Sequence, residues 1–110
     1  MSHAAADPEA VLSALGDPMR RRVLEVLGSS GAATATLLAA GLPISRQAVL
    51  KHLVVLDRAG LVAHERTGRE VRYQARPAGV QAMARWLDAL AADWDGRLAA
   101  LKRKAEAGDS

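Results

Sequence analysis

Before residue 77 this chain cannot hold any helix for long, because Asp-Pro pairs and glycines cut it into short pieces. Asp7-Pro8-Glu9 reads as a helix cap, a first-turn proline and an acidic first turn. Val11, Leu12 and Leu15 follow, and Gly16 stops them. Asp17-Pro18 repeats the device at once. Met19, Val23, Val26 and Leu27 then recur at helical spacing up to Gly28. Ser29-Ser30-Gly31 reads as a loop. The Ala/Leu-rich stretch 33–40 is expected to be a third helix, ended by Gly41 with Pro43 beyond. Ser45 caps a fourth, running to about Ala59, with Val49, Leu53 and Leu56 as its buried stripe and Gly60 as its stop. After Pro77 no further proline occurs, and a single helix is expected to about residue 107.

Between Gly60 and Pro77 the period changes. Leu61 to Arg66, then a Gly-bearing turn, then Val71, Tyr73 and Ala75 alternating with Arg72, Gln74 and Arg76, predicts two strands of a hairpin. The chain is thus expected to be mainly α with one small β-hairpin. Its composition agrees: half the residues are hydrophobic, yet only 3% are aromatic and Phe is absent. A core drawn from Leu, Val and Ala favours packed helices over an aromatic-rich sandwich. One domain is expected over residues 7–107, with residues 1–6 and the last four disordered.

Several function classes are excluded early. The absence of cysteine removes disulfides, thiolate metal sites and cysteine nucleophiles. The N-terminus shows no basic region followed by an apolar run, and no stretch approaches about 18 apolar residues, so no secretory signal and no membrane span are expected. A cytoplasmic location follows. Ser45 and His52 lie on one helix without an orienting acid, no phosphate-loop pattern occurs, and an enzyme is not expected. No cofactor is implied.

Charge placement is more informative than the formal net of +3. Residues 45–76 carry seven Lys/Arg against three acids, whereas the segments before and after are close to balanced. Clustered basic residues are the electrostatic footprint of a nucleic-acid face. With Val49 facing inward, Gln47, Leu50, Lys51, Val54 and Arg58 fall on the outer half of the fourth helix. Ser45 and Arg46 sit at its N-terminal end, where free N–H groups suit a phosphate. Gln47 has the amide that pairs with adenine, Arg46 can fork onto guanine or clamp a phosphate, and Leu50 suits a thymine methyl. Arg66, Arg69 and Arg72 surround the hairpin turn, placed to reach flanking phosphates or a minor groove. His52, nearer the inner edge, is expected to be packed and hydrogen-bonded. Arg20, Arg21 and Arg22 are expected to be structural, one of them pairing with Asp17 or Glu25.

A helix pair around Gly41 followed by a basic hairpin is the layout of a winged helix-turn-helix. Four strings carry a resemblance to a known family. They are Leu15-Gly16-Asp17-Pro18-Met19-Arg20-Arg21-Arg22-Val23-Leu24, Ile44-Ser45-Arg46-Gln47-Ala48-Val49-Leu50-Lys51-His52-Leu53, Leu56-Asp57-Arg58-Ala59-Gly60-Leu61-Val62, and Arg66-Thr67-Gly68-Arg69-Glu70-Val71-Arg72-Tyr73. Their order and spacing, over residues 9–101, resemble the ArsR-type (arsenical-resistance repressor) family of bacterial winged-helix regulators. The resemblance implies a homodimeric repressor that binds double-stranded operator DNA and is often released by a ligand. It departs from the family's metal sensors: Thr34-Ala35-Thr36-Leu37-Leu38-Ala39-Ala40 offers only hydroxyls, and no His follows residue 64. Transition-metal sensing wants imidazole or thiolate, so no metal site is expected.

The last helix carries Val80, Met83, Leu87, Leu90, Trp94, Leu98 and Leu101 at steps of three and four. That is more apolar length than so small a domain can cover, which implies a partner helix. A dimer through the terminal helices, about residues 77–107, is expected, with Val80, Met83, Leu87, Leu90, Trp94 and Leu98 at the interface. Two rivals stand beside the repressor: a winged-helix protein-interaction adaptor without DNA binding, and a sensor of an unidentified small-molecule effector with its pocket at the dimer interface.

Overall fold

A computed structural model describes residues 7–108, so the expected disorder of 1–6 and of 109–110 lies outside the described residues. Helices α1 (Pro8–Leu15) and α2 (Pro18–Ser30) each begin behind an aspartate cap, as the two Asp-Pro pairs require. α3 (Ala35–Ala40) and α4 (Arg46–Arg58) form the helix-turn-helix, and α5 (Pro77–Gly108) closes the chain. Residues 107 and 108, expected to be disordered, continue α5.

The expected helix over 33–40 is corrected at its start. Ala33–Thr34 forms a short strand, β1, which pairs antiparallel with β3 (Glu70–Ala75) through Ala33↔Tyr73 and Thr34↔Arg72. With β2 (Val62–Thr67) on the other side of β3, the hairpin becomes part of a three-stranded sheet of order β1-β3-β2. Two residues are too few to show a strand period, so this pairing comes from tertiary contact alone.

Local chemistry fixes the sharp turns. α4 ends where the Leu61 N–H donates to the Leu56 carbonyl and the Gly60 N–H to that of Asp57, both at 2.9 Å. That is the six-to-one and five-to-two pattern that needs a left-handed residue, supplied by Gly60 at φ 78°. The hairpin turns through Gly68-Arg69 with a positive φ, 64°, at Gly68 only, a geometry matched to strand twist.

The core is built from Val11, Val23, Leu27, Leu38, Val49, Leu53, Leu56, Leu61 and Val62, all nearly or fully buried. The four short helices and the start of β2 therefore supply the inward side chains, and α4 lies at the centre with contacts to α1, α2, α3 and β2. Met83 belongs to this core as well, at 5% exposure. It was expected at the dimer interface, but it is the side chain that anchors α5 to the body of its own chain. Beyond Leu90, every described residue of α5 is exposed. No helix among the described residues is long and apolar enough to cross a membrane.

Candidate nucleic-acid interface

The inward and outward faces of α4 fall as expected, except at Leu50. Ser45 Oγ accepts from the Ala48 N–H at 3.1 Å and starts the helix. Val49, Leu53 and Leu56 point into the core, while Ser45, Arg46, Gln47, Lys51, Val54 and Arg58 stand in solvent. Leu50 is only half-exposed, because it leans on the core as well as on the outer surface.

The wing is brought beside the start of α4. Arg46 and Leu50 share one groove of about 510 Å³ with Arg69, Glu70, Val71, Arg72 and Tyr73 of the hairpin and with Thr34 to Leu37. The sheet makes this possible: β1 leads directly into α3, and pairing β1 to β3 holds the hairpin against the helix-turn-helix. Three guanidinium groups thus border a concave surface whose one acid, Glu70, sits 3.4 Å from Arg72. Arg66 is exposed further out on β2, opposite Val71, and does not line this groove. Gln47 and Lys51 lie outside it on the exposed face of α4.

Three features escaped the sequence reading. Leu37 is 63% exposed at the edge of the groove, an apolar residue left in solvent beside Leu50 and the arginines. The Thr34 side chain caps α3, accepting from the Leu37 N–H at 3.2 Å. His64 of β2 donates from Nδ1 to the Asp57 carboxylate at 2.6 Å and tilts against the Tyr73 ring, tying the end of α4 to the wing. Asp57 and His64 are seven residues apart across a turn, a spacing with no signal in the periodicity.

Two of the three arginines of α2, Arg20 and Arg21, hold the fold, while Arg22 is exposed. Arg20 reaches the Ala14 carbonyl at 2.7 Å and the Ser13 carbonyl at 3.2 Å, and pairs with Asp17 at 3.8 Å. Arg21 reaches the Leu15 carbonyl at 2.6 Å. Together they satisfy the last carbonyls of α1, which a helix leaves without partners. Asp17 is held below the usual carboxylate range chiefly by the Arg20 backbone N–H, with Met19 N–H and the charges of Arg20 and His52 adding to it against a contribution from burial. His52 is half-buried and close enough for its charge to be felt by Asp17. Among the described residues no three His, Asp or Glu side chains converge as a metal site would need.

A helix-turn-helix with an inward-facing centre, a polar outer face on its second helix and a basic wing beside it is a sequence-reading DNA-binding module. Comparison with known proteins places it further. Residues 15–65 match the family described as a helix-turn-helix domain. The chain is 40% identical over 81 residues to the HTH-type transcriptional regulator Rv2034 of Mycobacterium tuberculosis, covering 74% of this chain and 75% of that protein. It is 30% identical over 77 residues to the transcriptional repressor SdpR of Bacillus subtilis, covering 70% and 84%. A solved structure of an ArsR-like transcriptional regulator from Rhodococcus sp. RHA1 superposes with a TM-score of 0.79 at 44% identity, covering 87% of this chain and 90% of that one. The chain belongs to the ArsR-like helix-turn-helix transcriptional regulators and is a DNA-binding regulator of transcription, a role that is not enzymatic.

Proposed function

We propose that the protein is a homodimeric repressor that binds an inverted-repeat operator, with α4 in the major groove and the wing on flanking backbone. The observation that carries this reading is the shared groove, in which Arg46 and Leu50 of α4 lie beside Arg69 and Arg72 of the wing. Ser45 and Arg46 meet phosphate at the start of α4. Gln47, Leu50 and Lys51 face base edges, and Arg66, Arg69 and Arg72 contact the sugar-phosphate backbone. The repressor sign is supported by the similarity to SdpR, a transcriptional repressor.

Two modules joined by a fixed interface make the second half-site contact effectively intramolecular. The exposed apolar run of α5, with Val80, Leu87, Trp94, Leu98 and Leu101 each more than 40% exposed, supplies that interface. Selection of bound DNA from a random pool, followed by gel shifts over a salt series, tests the reading. The expected product is an imperfect inverted repeat with half-sites about one turn, ~34 Å, apart. Binding should fall with salt at a log–log slope of about −4 to −6, from roughly 4–7 phosphate contacts per dimer. No enriched sequence and a flat salt response would make the protein an adaptor instead.

A further inference from the structure

Among the described residues, Arg20 and Arg76 are half-buried, and every other arginine and lysine is exposed. Arg20 is engaged by the Ala14 and Ser13 carbonyls and by Asp17. Arg76 is not matched in this way. Its backbone N–H donates to the Leu61 carbonyl at 2.8 Å, but its guanidinium makes no hydrogen bond or ion pair among the described residues. A cation withdrawn from water without a counter-charge favours an anion beside it.

The same residue borders an apolar groove of about 530 Å³ between the end of α2, the end of β3 and the first turn of α5. Leu24 and Leu27 line it from α2, and Ala75, Pro77 and Val80 from the other side. Gln74, two residues before Arg76, adds an amide on the same side of the extended chain. Gly28 lines the groove as well, although α2 runs through it to Ser30. Its φ is not positive, and a Cβ there would meet nothing within 4 Å. Neither a turn nor a close approach requires glycine at a helical position where it is unfavourable. What its bare Cα supplies is open space in the groove.

We propose that this groove binds a small carboxylate with an apolar body. The carboxylate takes the paired N–H donors of Arg76 with help from the Gln74 amide, and the body lies among Leu24, Pro77 and Val80. The volume falls within the roughly 300–1,000 Å³ of small-molecule sites. Uncharged and cationic molecules of the same shape leave the Arg76 charge unanswered and bind less well. None of the lining residues belongs to the groove shared by α4 and the wing, so the site can be tested without DNA.

Octanoate, titrated calorimetrically into the full-length protein below its micelle concentration, is the first probe. It should bind once per chain with a Kd of about 1 mM or tighter, and at least tenfold better than 1-octanol or octylamine. Arg76→Gln should erase the preference for octanoate over octanol. Gly28→Leu should fill the groove and abolish octanoate binding, while the free protein unfolds at the same temperature or higher. Octanoate binding that survives Gly28→Leu would put the ligand elsewhere, on the exposed stripe of α5 for example, and overturn the proposal. Equal binding of octanoate and octanol to the wild type would overturn it too. So would the absence of heat with both octanoate and 3-phenylpropionate, which carries its carboxylate on a flat body. A Gly28→Leu chain that self-associates more weakly than wild type in sedimentation would make the groove a contact between copies instead.

Discussion

The body of the molecule and the outer half of α5 both carry Leu and Ala at helical spacing, yet one buries its apolar side chains and the other buries none. In the body, the stripes of α1, α2, α3 and α4 and the sheet face one another, so Leu27, Leu53, Leu56 and Leu61 reach 0–1% exposure. Beyond Leu90, Trp94, Leu98 and Leu101 stand 57–63% exposed because, among the described residues, no element returns to meet them. Hydropathy marks a face as needing cover; topology decides whether the chain itself provides it. The two regions should respond differently to the same kind of change.

The largest expected effect is in the body. Leu56→Ala should cost about 2–5 kcal/mol of unfolding free energy, read by denaturant titration, because the cavity opens at the centre of the core. Leu98→Asp should leave the unfolding free energy of dilute, monomeric protein within about 0.5 kcal/mol. The same variant should sediment as a monomer and lose operator affinity at least tenfold, although no DNA-facing residue has changed. Leu90 is half-buried against its own chain, so a substitution there mixes the two effects. If Leu98→Asp destabilises the isolated chain as Leu56→Ala does, the contrast between the regions is wrong.

Within the body, the reading face can be separated from the supporting one. Gln47→Ala should cost roughly 1–3 kcal/mol on the cognate site and relax preference at one base pair per half-site. Arg69→Ala should weaken all sequences evenly and lower the salt slope, both visible in competition gel shifts. An unchanged base preference after Gln47→Ala would move the reading face elsewhere. Ser45→Ala should destabilise the fold by about 0.5–2 kcal/mol through loss of the α4 cap, measured by thermal unfolding.

The smallest effect is one of pH. The Asp17 carboxylate is held below its ordinary value, so the folded state binds the proton less readily than the unfolded chain does. Its contribution to stability is complete above the unfolded value, near pH 4, and is lost as pH falls through the lower folded one. Asp17→Asn should flatten the acid limb of the stability curve in that window. An identical limb in wild type and variant would assign acid sensitivity to other carboxylates.

Much of this was legible in the sequence because it is written in local chemistry. Asp7-Pro8, Asp17-Pro18, Ser45 and Gly60 set helix ends by satisfying or freeing nearby backbone groups, and these boundaries appear as expected. The alternation of Val71, Tyr73 and Ala75 marked the inward face of β3 for the same reason. What was not legible depends on partners distant in sequence. Ala33-Thr34 becomes a strand only because Tyr73 and Arg72 lie opposite. A helical period shows that Met83 must be covered, but not whether its own chain or another covers it. The exposure of Leu37 follows from where the wing stands, which no spacing within α3 reveals.

The elbow between α1 and α2 has a mechanical consequence. Arg20 and Arg21 grip the last carbonyls of α1 while Asp17 holds the first N–H groups of α2, so bending the elbow breaks several polar contacts at once. α1 in turn rests on α5, and α2 on α4. A shift of α5 is therefore passed along a stiff linkage rather than absorbed by a hinge, as the legs of a divider follow its pivot. In the proposed dimer, a mutation that tilts α5 by a few degrees need not approach the DNA to change the span between the two α4 helices.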